Sequence, residues 1–227
     1  MVKDRRKIGY AVPPCGDNKK RTITKYFSQG KKVFTPLEII NFVDNFKNNY
    51  SPYTDPSRLL FLESRDKALI SLLSITCCRL NESLRIRKSQ MDYSRLDFLI
   101  IRNFRVSKRK KDPKTGEPKK QFIKEMPMTI KEGALLYPFT KNIIEHSKEI
   151  GDRSLLFKIG VRRARQIITA LDPDIFPHFL RGCMLTYYLN LLKNPYLVAK
   201  MFGIVDVRTL RFYYGGEWED HTEALSR

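Results

Sequence analysis

Arg65-Asp66-Lys67-Ala68-Leu69-Ile70-Ser71-Leu72-Leu73-Ser74-Ile75-Thr76-Cys77-Cys78-Arg79-Leu80-Asn81-Glu82-Ser83-Leu84 carries more structural information than any other part of this chain. Ala68, Leu69, Leu72, Leu73 and Ile75 recur at helical spacing up to Thr76, which predicts a helix with a wide apolar face. A turn follows around Cys78, and Asn81 to Arg87 reads as a second, short helix. Cys77 and Cys78 lie in apolar company and read as two small buried hydrophobes. Arg79 leaves the turn as a lone cation, with Glu82 one helical turn beyond it. Taken alone, such an arginine is more often an interfacial salt-bridge residue than a catalyst.

Upstream, order begins at Phe34. Thr35 and Glu38 form a capping box, Pro36 takes the first helical position, and Phe34 is placed to staple onto Ile39. Ile39, Ile40, Val43 and Phe46 follow at helical spacing, and a loop containing Pro52 and Pro56 leads to the long helix. Downstream, Phe98 to Val106 has strand character, with Phe98, Ile100, Phe104 and Val106 alternating in part. Gln121 to Met128 reads as its partner. Between them runs a basic hairpin from Lys108 to Lys120 with Asp112-Pro113 and Gly116 at its tip. Helices are expected over about 139–150 and 161–171, the second carrying Arg162, Arg163 and Arg165. Another runs from His178 to Leu192 behind Pro177. Asn194-Pro195 opens a short helix that stops at Phe202-Gly203, and a last helix spans about 206–214.

The fold expected is α+β, mostly α-helical with a small antiparallel sheet, in one domain over residues 33–214. Residues 1–32 read as a basic flexible tail, with clusters at Arg5-Arg6-Lys7 and Lys19-Lys20-Arg21, and residues 215–227 as a short acidic one. The 43 Lys and Arg against 24 Asp and Glu give a formal charge of +19 over 227 residues. A charge of that size fits a polyanionic partner, because each phosphate neutralised releases a condensed counterion. The four cysteines show no CxxC spacing, so neither a disulfide framework nor a zinc site is expected, and no metal or other cofactor. No apolar run approaches the roughly 20 residues that span a bilayer, and no secretory signal is visible. A cytoplasmic, DNA-associated protein is expected, with no membrane partner.

Three segments together resemble the tyrosine recombinase (phage integrase) family. Thr76 to Leu84 is similar to its first arginine motif, a tight turn followed by Arg, two residues and Glu, although Cys77 stands where a glycine is usual. His178-Phe179-Leu180-Arg181 is similar to its His-x-Leu-Arg motif. Phe202-Gly203 is followed ten residues after the glycine by Tyr213, resembling the segment that ends in the nucleophile. Each piece is weak alone; the order Arg, basic hairpin, HxxR, Tyr is far more specific. The resemblance covers about residues 34–214.

It implies a metal-independent reaction in which Tyr213 attacks a DNA phosphodiester, forming a 3′-phosphotyrosyl bond and releasing a 5′-hydroxyl. Arg79 and Arg181 would hold the non-bridging oxygens, and His178 would bond a phosphate oxygen or handle the tyrosine proton. A hairpin lysine, Lys108 first and Lys110 next, would protonate the leaving oxygen. Glu82 would brace Arg79 from behind. Lys110, Lys111, Lys119, Lys120, Arg162, Arg163 and Arg165 are the expected DNA-backbone contacts. Double-stranded DNA is the expected partner, with self-assembly on it, in the setting of a prokaryotic or viral element.

Other readings of the same residues stand beside these. His178 after Pro177 also suits a helix start, and Tyr213 between Phe212 and Tyr214 also suits an aromatic core patch. Two positions depart from the family pattern. Ile204 replaces the usual His or Trp beside the late glycine, removing a hydrogen-bond donor, and Gly182 stands where histidine is frequent after the motif arginine. Only the basic tail precedes Phe34 where the family carries a helical clamp, so the expectation is either a catalytic-domain-only protein or one whose tail and hairpin grip DNA. The alternative function is a DNA-binding or architectural protein on the same fold, with catalysis weakened or lost.

Overall fold

The computed structural model describes residues 33–47, 50, 54–105, 123–171, 175–204 and 206–213. Helix α1, Pro36–Asp44, begins as its sequence dictates. The Thr35 side chain accepts the Glu38 amide, and Glu38 Oε2 accepts the Thr35 amide at 2.8 Å. Phe34 packs its ring on Phe42 and edge-on against Phe179, so it ties the helix start to a distant element as well as to its own.

Helix α2, Pro56–Thr76, is the axis of the molecule. Pro56 is its first residue and not part of the preceding loop, because Asp55 caps it by accepting the amides of Ser57 and Arg58. At 21 residues it is about 31 Å long. From Arg65 to Thr76 nearly every residue is buried, Ala68, Leu69, Ile70, Leu72 and Leu73 completely. A helix buried all round must place its polar groups carefully, and Ser74 and Thr76 return their hydroxyls to the carbonyls of Ile70 and Leu72. Asp66, fully buried, receives Arg65 at 2.8 Å and the Tyr50 hydroxyl. The helix ends at Cys77, whose φ of 48° is left-handed. That is the physical reason a glycine suits this position: a Cβ there costs roughly 1–2 kcal/mol.

The turn releases the chain into α3, Leu80–Ser83. This helix is much shorter than the expected 81–87, because the Arg85 and Ile86 amides bond back to Glu82 and Ser83 in a closing turn. The sheet has order β1-β2-β3, with β1 Met91–Arg95, β2 Phe98–Arg105 and β3 Ile123–Thr129, all antiparallel. Strand β1 was not singled out in the sequence; the alternation in Met-Asp-Tyr-Ser-Arg is only two apolar residues long, and its residues are half-buried or exposed. The inward face of β2 is Leu99 and Ile101, opposite Met128 and Met126, while Phe98 is exposed. Ile100, on the opposite face, is buried as well. Apolar residues run continuously from Phe98 to Ile101, so period two alone does not choose the face. A bulge between Ile101 and Phe104, with Asn103 at φ 54°, then resets the phase.

Helices α4, Tyr137–Lys148, α5, Val161–Leu171, α6, Pro177–Leu192, and α7, Pro195–Phe202, complete the body. Asn194 caps α7 and Gly203 ends it at φ 62°. In place of the expected last α-helix, Val207–Tyr213 is a 3₁₀ segment. Helices α1, α4, α5 and α6 all pack on α2, and α7 and the 3₁₀ segment pack on α6. Among the described residues no helix is long and apolar enough to cross a membrane.

Candidate active site

Arg79 is the residue before the first turn of α3, with an extended backbone that turns its side chain out of the core. Glu82, buried at the third position of that helix, holds it twice. One carboxylate oxygen accepts the Arg79 backbone amide at 2.8 Å and the other accepts Nη1 at 3.0 Å. The R-x-x-E spacing thus produces a guanidinium anchored from behind and half exposed in front.

His178 and Arg181 occupy the first two turns of α6, three residues apart and hence on neighbouring positions of one face. Phe176 precedes the helix without a side-chain cap, so the positive end of its backbone dipole adds to the local potential. Arg181 is buried. His178 keeps an exposed surface although protein crowds its ring. That crowding pushes its pKa down to about 4, and Arg181 and Arg79 push the same way. The imidazole is consequently neutral at neutral pH, a hydrogen-bonding and proton-accepting group between two fixed cations.

These three side chains line one cleft of about 520 Å³, together with Cys78, Leu80, Arg165, Thr169, Phe176 and Pro177. Among the described residues no carboxylate lines it. Arg165 and Thr169 come from α5, one helical turn apart. The Thr169 hydroxyl donates back to the Arg165 and Gln166 carbonyls. Of the three α5 arginines, Arg165 reaches the cleft. Arg162 is exposed elsewhere on the helix, and Arg163 lies half-buried with its guanidinium 5.2 Å from the Tyr50 ring centre. Through Tyr50, Arg163 reaches the buried Arg65–Asp66 pair, which locks α5 to α2.

Tyr213, at the end of the 3₁₀ segment, is buried in the core beside α6 and does not line the cleft. Burial raises the pKa of its phenol, while the charges of Arg181 and Arg79 pull it down. The structure thus brings Arg79, His178 and Arg181 to one cleft and leaves the phenol buried outside it. Ile204 is half-buried against the core, its amide bonded to the Ala199 carbonyl at 2.8 Å. Lys108, Lys110, Lys111, Lys119 and Lys120 lie outside the described residues. The sequence did not single out the apolar wall formed by Cys78, Leu80 and Phe176. Its only signal is adjacency to Arg79 and His178.

No protein-family model matches the chain, and no curated protein sequence does. Solved structures do. The XerH site-specific recombinase bound to palindromic difH substrate, a post-cleavage complex, superposes with a TM-score of 0.57 at 15% identity over 86% of this chain. The pre-cleavage complex of XerH with difH gives 0.56 at 15% identity over 84% of this chain. In both cases this chain spans 52% of the XerH chain. The Tn1549 transposon integrase in complex with transposon right end DNA gives 0.49 at 14% identity, covering 86% of this chain and 65% of that one. With helices packed round a central α2, a small antiparallel sheet and the XerH superposition, the chain has the fold of a tyrosine recombinase catalytic domain.

Proposed function

We propose that this protein cleaves and rejoins double-stranded DNA through a covalent phosphotyrosine at Tyr213. The observation that carries the reading is the convergence of Arg79, His178 and Arg181 in one cleft with no carboxylate among its described lining residues. The XerH structures contain DNA, which adds the nature of the polyanion to that inference.

In this reading the scissile phosphate enters the cleft and Arg79 and Arg181 fork onto its non-bridging oxygens. The Tyr213 oxygen forms a bond to phosphorus as the bond to the 5′ oxygen breaks, and the tyrosine proton passes to His178. Lys108 protonates the departing 5′ oxygen. Attack by a 5′-hydroxyl on the phosphotyrosine runs the step backwards and regenerates the phenol, so the bond energy is conserved. A bound phosphate offsets the two arginine charges and thereby raises the basicity of His178, timing its proton affinity to substrate arrival. The buried Tyr213 must turn out of the core to attack, so uncovering it belongs to the reaction.

A second reading, a DNA-binding protein that has lost catalysis, is favoured by two observations: the burial of Tyr213 away from the cleft and the inward packing of Ile204. A nicked duplex that traps covalent protein separates the two. Covalent complex that forms in EDTA and falls by about 100-fold or more in Arg79→Ala and Arg181→Ala supports cleavage. Tight duplex binding with no covalent complex on its own DNA supports the binding protein.

A further inference from the structure

We infer that Arg165 is a third guanidinium acting on the reacting phosphate, beyond the Arg79 and Arg181 pair; this rests on the cleavage reading above. The basic groups near the cleft differ in the partners they already have. Arg79 has part of its charge answered by the buried Glu82 at 3.0 Å. Arg163, two residues before Arg165, is turned away over the Tyr50 ring. Arg165 has neither kind of partner: among the described residues no carboxylate pairs with it, and its side chain is exposed and lines the cleft opposite α6.

Helix α5 presents it firmly. Ala164, Ile167 and Ile168 are fully buried and fix the helix rotation, and that rotation puts Arg165 and Thr169 on the cleft side. The Thr169 hydroxyl is committed to the helix backbone, so Arg165 supplies the donors from this wall. The cleft therefore holds three guanidinium groups and a neutral imidazole, with no acid among its described lining residues.

A phosphodiester carries one negative charge in the ground state and gains a second as the tyrosine oxygen adds. A third fixed cation gains more from the doubly charged arrangement than from the ground state, which is the requirement for lowering a barrier and not merely tightening binding. A guanidinium also presents a planar fork of donors that lysine lacks. Arg165 thus differs in role from Arg162 on the same helix, whose exposed charge has no place among the cleft residues.

The test separates rate from affinity. Covalent-complex formation is followed in single turnover with a nicked duplex, over a range of DNA concentrations, for wild type, Arg165→Ala and Arg165→Lys. Folding of each variant is checked by thermal melting. The expected result is a fall of about 100-fold in the rate at saturating DNA for Arg165→Ala, partly recovered in Arg165→Lys. An unchanged saturating rate, with only the half-saturating DNA concentration raised, makes Arg165 a backbone grip away from the reacting phosphate and overturns the inference while leaving the cleavage reading intact. Wild-type protein that binds the duplex yet forms no covalent complex removes the cleavage reading, and the inference goes with it.

Discussion

At the scale of single residues, the site depends on how firmly two cations and one neutral base are held. Glu82 is buried and holds Arg79 through two bonds. Arg79→Ala leaves that carboxylate without its guanidinium, and should lower stability by about 1–2 kcal/mol in urea melts, in addition to its effect on cleavage. Glu82→Gln keeps the shape but loosens the fork, and is expected to slow cleavage by about 10-fold while DNA affinity changes little. His178 gives a pH prediction whose sign follows from its depressed pKa. Unfolded, it takes up its proton near 6.5; folded, only near 4. Between those values the unfolded state binds more protons, so stability is full above pH 6.5 and falls as pH drops toward 4. His146, buried on α4 with its Nε2 on the Leu156 carbonyl at 3.0 Å, is depressed by burial and acts in the same direction. Melting curves across pH 4–7 for His178→Gln and His146→Gln should each show a shallower acid limb than wild type. Arg79, His178 and Arg181 were legible in the sequence as a set, because order and spacing combine into a pattern that no single residue carries. The burial of Tyr213 stood in the sequence only as the alternative reading, since the triplet Phe212-Tyr213-Tyr214 suits an aromatic core patch as well as a nucleophile.

At the scale of elements, caps and packing decide where the site residues point. Asn194 accepts the Leu197 amide at 3.0 Å and starts α7, the helix on which Gly203 and the Tyr213 segment depend. Asn194→Ala should cost about 1 kcal/mol in thermal or urea unfolding. Leu72, completely buried in α2, is a larger lever: Leu72→Ala should cost about 2–5 kcal/mol, according to how far the surrounding helices close on the cavity. A loss under 1 kcal/mol there would contradict the placement of α2 at the centre. The starts of α1, α6 and α7 and the end of α7 were readable because Thr35, Pro177, Asn194 and Gly203 are local signals with local causes. Strand β1 and the face of β2 were not, because they are set by pairing and by the bulge at Asn103, which are tertiary facts. The short α3 escaped because the Arg85 and Ile86 amides close a turn on the Glu82 and Ser83 carbonyls, after which the Ile86 carbonyl accepts from Leu156, far along the chain.

At the scale of the whole molecule, the formal charge of +19 and a cleft lined by three arginines make phosphate binding the expected first event. Duplex affinity measured against salt should fall on a straight log–log line, with a slope of about −0.9 for each phosphate neutralised. Arg165→Ala should reduce that slope by about one unit. A flat salt dependence would sever the charge from the function. The central claim is that Tyr213 makes the covalent bond, and one measurement addresses it most directly. Wild-type protein and Tyr213→Phe are incubated with DNA in EDTA and denatured. The DNA-linked protein is then recovered, and its attached peptide is mapped by mass spectrometry. The account predicts metal-independent covalent product in wild type, a phosphotyrosyl adduct at residue 213, and no product in Tyr213→Phe. An adduct on any other residue, or product that persists in Tyr213→Phe, would contradict it.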